Sequence, residues 1–152
     1  MVMKSYIGTK IIQAEPAYRC AGKVYPKSGP YPRSMNLEDG YKVRYPDGYE
    51  SWSPKNVFEE AYRPSEHLPF GLAIEAAKKG KRIARMGWNG KNQYVELASC
   101  ISYTSADGET VNVDHAAIGN RALAFVGTSG VQMGWLASQA DMLADDWMIV
   151  GP

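Results

Sequence analysis

Phe70-Gly71-Leu72-Ala73-Ile74-Glu75-Ala76-Ala77-Lys78-Lys79-Gly80-Lys81-Arg82-Ile83-Ala84-Arg85-Met86-Gly87-Trp88-Asn89-Gly90 is the stretch that decides the fold. Phe70, Ala73, Ile74 and Ala77 recur at i, i+3, i+4 and i+7, the spacing of one buried helix face. Gly80 stands where a left-handed C-terminal cap belongs. From Lys81 to Met86 the period changes to two, Ile83 and Arg85 on one face and Arg82 and Ala84 on the other. Gly87 to Gly90 reads as a turn and Tyr94-Val95-Glu96-Leu97 as a returning strand. A helix feeding an antiparallel hairpin predicts an α+β fold, a small antiparallel β-sheet domain with short helices.

Downstream, residues 98 to 130 are harder to read. They offer an Asp107-Gly108 turn, an apolar stretch at Ala122 to Val126, and a second turn at Gly127-Thr128-Ser129-Gly130. Ser138 with Asp141 forms a capping box for a short helix over Gln139 to Ala144. Trp147-Met148-Ile149-Val150 closes the chain as a buried strand.

Upstream, the composition changes near residue 65: eight of ten tyrosines and seven of nine prolines precede it, and three of four tryptophans follow it. Arg63 to Pro69 carries two prolines and reads as a linker. The spacing thus predicts a β-rich module of hairpin and helix over 1–64 and a second domain over 68–152. In the first, Ile7 to Ala14 reads as a strand and Tyr25 to Pro32 as loop. Tyr41 to Tyr45 alternates, turns through Pro46-Asp47-Gly48, and resumes at Tyr49 to Trp52, a hairpin signal. Ser53-Pro54 is expected to supply an N-cap and first-turn proline for a helix through Val57, Phe58 and Ala61. Tyr41, Val43 and Tyr45 share the face that packs on it.

The 152 residues suffice for one ordinary domain or two small ones, and 45% apolar against 22% charged residues supports a packed core. No window approaches the ~18 apolar residues of a membrane span, and the start does not read as a signal peptide. Cys20 and Cys100 have no CxxC partner, which predicts reduced thiols in a cytosolic setting. A net charge of +1 is too weak for a nucleic-acid polymer. Six basic residues and no acid lie between Lys78 and Lys91, a patch suited to a compact anion; a solvated helix end accounts for Lys78 and Lys79.

Catalytic patterns fail one by one. Gly80-Lys81-Arg82 and Gly90-Lys91-Asn92 lack the Ser/Thr of a phosphate loop, and Gly127, Gly130 and Gly134 miss the dinucleotide spacing. Gly130 directly follows Ser129, so there is no nucleophile elbow. His67 and His115 are the only histidines, and neither has an evident nucleophile to activate. Asp141, Asp145 and Asp146 read as cap and solvent-facing charge, so neither metal nor cofactor is expected.

What remains is recognition chemistry. Trp88, between glycines, and Trp135, ahead of a helix N-terminus, can offer aromatic faces; Asn89 offers an amide, and the N–H groups near Gln139 to Asp141 can meet an anion, in competition with the Ser138 cap. The plainer alternative, tryptophans as core or as an oligomer seam, stays open for both; Trp147 reads as core.

The run from Phe70 to Val150, on its entry helix, on Ile83-Ala84-Arg85-Met86-Gly87-Trp88-Asn89-Gly90-Lys91 and on Trp135 to Val150, resembles the phage Thoeris anti-defence sponges of the second class. Residues 4–64 resemble a separate phage-encoded module, marked by Tyr6-Ile7-Gly8-Thr9-Lys10 and Gly48-Tyr49-Glu50-Ser51-Trp52-Ser53-Pro54. The stretch from Ser99 to Gln132 reads as longer than in compact members. The resemblance implies a non-enzymatic homotetramer, in the cytoplasm of the infected host, that buries glycocyclic ADP-ribose between subunits. It also implies cyclic dinucleotides as alternative ligands, alone or at a second site. On that reading Trp88 and Trp135 enclose the ligand, Arg85 pairs with phosphate, and Asn89, Ser138, Gln139 and Asp141 hydrogen-bond base or ribose. Tyr94 and Met142 line the cavity. A nucleotide-processing enzyme and a structural phage module that binds no ligand are the competing classes.

Overall fold

A computed structural model describes residues 2–88 and 92–151, and the chain divides into two compact units, Met1–Arg63 and Pro64–Pro152. Both mix antiparallel strands with short helices, so the class is α+β.

The first unit holds β1 (Gln13–Cys20), β2 (Lys23–Pro26), β3 (Glu38–Arg44), β4 (Glu50–Pro54) and α1 (Lys55–Ala61), in the antiparallel order β2-β1-β3-β4. The β3–β4 hairpin turns through Gly48 at φ +90°, where glycine is needed. Tyr41 stacks on Phe58 of α1 at 4.2 Å between ring centroids and donates its hydroxyl to Glu59, and Val43 is buried. Tyr45 instead stacks on Tyr49. On the opposite face Trp52 crosses β3 at Gly40, and its Nε1 donates to the Ala17 carbonyl at 3.0 Å. The Arg19 guanidinium lies over its ring at 4.2 Å.

Three expectations are corrected. The strand expected at Ile7–Ala14 runs from Gln13 to Cys20, because pairing with β3 begins at Gln13↔Arg44 and β3 ends there. The expected loop at 25–32 gives up its first two residues to β2, which returns on β1 through a turn with Ala21 and Gly22 both at positive φ. Ser53 does not cap α1: it stays in the ladder opposite Tyr41, and extended Pro54 takes the cap position with no side chain to offer.

The second unit holds α2 (Phe70–Lys78), β5 (Arg82–Arg85), β6 (Tyr94–Ala98), β7 (Tyr103–Thr104), β8 (Thr110–Val111), β9 (Ala122–Gly127), β10 (Gly130–Met133), α3 (Gln139–Met142) and β11 (Trp147–Val150). Its main sheet runs β10-β9-β6-β5-β11, all antiparallel, with β7 and β8 as a separate hairpin. α2 turns Ala73, Ala76 and Ala77 inward, and small side chains let the helix sit close on Ile83, Val95 and Trp147. Gly80 ends it at φ +88°, donating its N–H to Ala77. Leu68 exchanges both backbone hydrogen bonds with Trp147, so the incoming chain is clamped to β11. α3 stops at Met142, shorter than the stretch to Ala144 expected from the capping box.

Candidate functional site

β5 and β11 pair with Trp147 opposite Arg85, and this register builds the site. It sets Asp146, one residue before Trp147, beside the Arg85 guanidinium. Arg85 Nε and one terminal nitrogen donate to the two Asp146 carboxylate oxygens at 2.9 and 3.4 Å, and the other terminal nitrogen donates to Asp141 at 3.1 Å. Its side chain is 25% exposed, Asp141 16% and Asp146 36%. Donating hydrogen bonds to Asp146 and then to Asp141 raises the Arg85 pKa, so one permanent cation sits between two carboxylates.

Asp141 also closes the capping box. Its carboxylate accepts from the Ser138 N–H at 3.0 Å and hydroxyl at 2.8 Å, and its own N–H donates to Ser138 Oγ at 3.1 Å. The N-terminus of α3 therefore already holds an anion. Burial pushes the Asp141 carboxyl upward, but the Ser138 and Arg85 hydrogen bonds outweigh it and hold the group below the usual aspartate range. A depressed folded pKa stabilises above the unfolded value of about 3.9 and loses that contribution as pH falls through the folded value. We expect the second unit's stability to hold from neutrality to about pH 4 and to decline below it. Asp141→Asn should cost about 1–3 kcal/mol at pH 7 and flatten that acid limb, read by chemical denaturation across pH.

Above the ionic cluster lie three indoles. Trp147 is wholly buried and donates Nε1 to the Asp141 carbonyl at 2.8 Å. Half-buried Trp88 meets Trp147 edge-on at 5.5 Å and Trp135 at 6.0 Å, with Phe125 tilted against it at 5.5 Å. Half-buried Trp135 meets Trp147 at 6.0 Å, and its N–H and that of Gly134 both donate to the Leu123 carbonyl. Edge-to-face pairs of this kind contribute about 0.5–1.5 kcal/mol each beyond area burial. Trp88 thus takes part in core packing that its glycine neighbours did not announce.

The structure joins Arg85, Ser138 and Asp141 by hydrogen bonds and Trp88 with Trp135 by ring contact. Gln139 and Met142 lie on α3 with exposed side chains. Tyr94, at the start of β6, carries the Arg82 guanidinium over its ring at 4.5 Å, and Arg82 also pairs with Glu96 at 3.6 Å. Asn89 lies outside the described residues, as do Gly90 and Lys91. Three of the six residues of the basic run are answered by acids: Lys78 pairs with Glu75 at 3.3 Å, Arg82 with Glu96, and Arg85 with two aspartates. Asp146 and Phe125 are members that the sequence reading missed, and only the strand register could have pointed to Asp146. Among the described residues no group of three or more His, Cys, Asp or Glu is placed to hold a metal, and no helix is long and apolar enough to cross a membrane. Chemically, the site offers half-exposed indoles beside a cation, two carboxylates and a hydroxyl: a wall for a flat ring with polar groups at its rim.

A small antiparallel sheet under one helix, with a tryptophan cluster set against an arginine–carboxylate network, defines a compact α+β domain. The chain belongs to the Thoeris anti-defense 2-like family, whose domain model matches residues 68–150. It is similar to Thoeris anti-defense 2 of Bacillus phage SP01, with 38% identity over 88 residues that cover 55% of this chain and 94% of that protein. The match lies wholly within the second unit, and residues 1–67 fall outside it.

Proposed function

We propose that the chain is a phage protein that counters Thoeris defence by binding a nucleotide second messenger and withholding it from its receptor. On this reading the ligand is glycocyclic ADP-ribose, made by the TIR-domain enzyme, and it is held without being cleaved in the host cytoplasm. The family match over the second unit supports the anti-Thoeris role. The observation that carries the chemistry is the pairing of half-buried Trp88 and Trp135 beside Arg85, Asp141 and the exposed Ser138 and Gln139. An indole face suits adenine, and the carboxylates and hydroxyl suit ribose diols. For Arg85 to reach a phosphate it exchanges one of its aspartate partners for the ligand. A homotetramer whose subunits meet at this site would complete its walls, and cyclic dinucleotides are the alternative guests.

A sponge must outcompete a receptor, which sets an affinity near nanomolar, about −12 kcal/mol. When purified protein is mixed with equimolar glycocyclic ADP-ribose, filtered and heated, intact messenger should be absent from the filtrate and return after heating. Recovery of a cleaved product, growing with time at substoichiometric protein, would establish an enzyme instead.

A further inference from the structure

Residues 2–12 form no regular secondary structure, yet their composition is that of a strand, with Tyr6, Ile7, Thr9, Ile11 and Ile12. Their first apolar side chains face solvent, Tyr6 87% and Ile7 99% exposed, while Ile11 is 41% exposed and Ile12 half-buried. The cause lies in the sheet. β1 pairs with β3 up to Gln13↔Arg44, and the residue that follows β3, Tyr45, already donates its N–H to Tyr49 at 2.8 Å to close the hairpin. The segment has no strand of its own unit to continue along.

The same unit leaves a strand without a neighbour. β4 is an outer strand, and among the described residues nothing pairs with its far side. Counting from the bonded pair Tyr45–Tyr49, the alternation makes Val43/Ser51 and Tyr41/Ser53 the bonded pairs of the ladder. The N–H and C=O groups of Glu50 and Trp52 then point outward. The other edge, β2, is a poorer template: of its outward residues Val24 and Pro26 only Val24 has an N–H, whereas β4 offers those of Glu50 and Trp52 before its own Pro54. Charge agrees in part: the segment carries Lys4 and Lys10 and no acid. Asp47, in the turn before β4, has no cation on it among the described residues, whereas Glu50 is already paired with Arg44 and Lys42 and Lys10 stands over the Tyr45 ring at 5.0 Å. Tyr49, at the head of that strand, is 64% exposed, an apolar surface for the incoming isoleucines to cover. Seven extended residues span about 23 Å and the five of β4 about 17 Å, so the lengths match.

We propose that residues 6–12 of one chain add as a strand to the β4 edge of a second copy, whose own segment returns the contact. Backbone hydrogen bonds to Glu50 and Trp52 supply the pairing, and Tyr6, Ile7 and Ile11 lose their exposure. This interface belongs to the first unit and is independent of the ligand reading for the second.

The test uses the full chain. Light and 15N-labelled protein are mixed in equal amounts, treated with a short amine-reactive crosslinker, and read by mass spectrometry. Lys4 or Lys10 should be joined to Lys55, which directly follows β4, in peptides that mix the two isotopes. The double variant Ile7→Pro/Ile11→Pro, placed outside every ladder, should lose these mixed links while keeping its unfolding temperature. Amide exchange at Glu50 and Trp52 should speed up in the same variant. Links confined to one isotope, no links at all, or mixed links that survive the prolines would each overturn the proposal. Should the prolines lower the unfolding temperature, Ile7→Asp serves as the second variant under the same outcomes.

Discussion

Trp147→Ala is expected to cost the second unit about 3–5 kcal/mol, the range for emptying a fully buried aromatic site. The indole is wholly enclosed by Leu68, Phe70, the α2 alanines and Ile83, and it supplies edge contacts to both Trp88 and Trp135. It also donates to the Asp141 carbonyl, which would lose its partner. A unit of this size has roughly 4–13 kcal/mol of stability in all, so the loss removes a large share of it. Trp147→Phe should keep most of the packing and lose the hydrogen bond, a smaller cost of about 1–3 kcal/mol. Denaturant midpoints read by far-UV circular dichroism would rank the three proteins. A Trp147→Ala protein as stable as the parent would mean that the indole triangle does not hold this core.

Gly40→Ala is expected to be the most damaging change in the first unit despite adding one carbon. A Cβ there would overlap the Ser53 carbonyl, which is backbone and cannot move aside, and the Trp52 ring. Relief requires Trp52 to lift, which breaks its bond to the Ala17 carbonyl and removes the surface under Arg19. Overpacking of about 1–3 kcal/mol plus a hydrogen bond of about 1 kcal/mol gives roughly 2–4 kcal/mol. For about 60 residues with roughly 3–9 kcal/mol available, that is enough to populate unfolded forms at 37 °C. Amide exchange resolved by segment should show faster exchange over β1–β4 and unchanged exchange over β5, β6 and β11.

These two sites show what was legible in the chain and what was not. α2, its Gly80 cap and the Ser138–Asp141 capping box rest on contacts within a few residues, so local spacing suffices to read them. The β3–β4 hairpin is equally local. Arg85 and Asp141 could each be singled out, but not as partners of one another: they lie 56 positions apart, and Arg85 and Asp146 lie 61 apart. Their meeting follows from the β5–β11 register. The stretch from Ile101 to Asn120 was unreadable for a different reason. Asn112 donates its amide to the Ile101 carbonyl and Asn120 to the His115 carbonyl, while Cys100, Asn112 and His115 take positive φ, so side chains rather than periodicity shape it. The Ile7–Ala14 stretch shows the reverse failure: its strand propensity is real, but a strand exists only where a neighbour accepts its hydrogen bonds.

The most direct measurement is a thermal-shift series of the full chain against glycocyclic ADP-ribose, cyclic dinucleotides and linear ADP-ribose. A messenger held at about 1,000 times its dissociation constant adds about 4 kcal/mol by mass action, which should move the transition of the second unit by more than about 10 °C. Glycocyclic ADP-ribose should give that shift in the parent protein and lose most of it in Trp88→Ala. If none of these nucleotides displaces the transition, capture of a messenger is contradicted and the indole cluster is architecture alone.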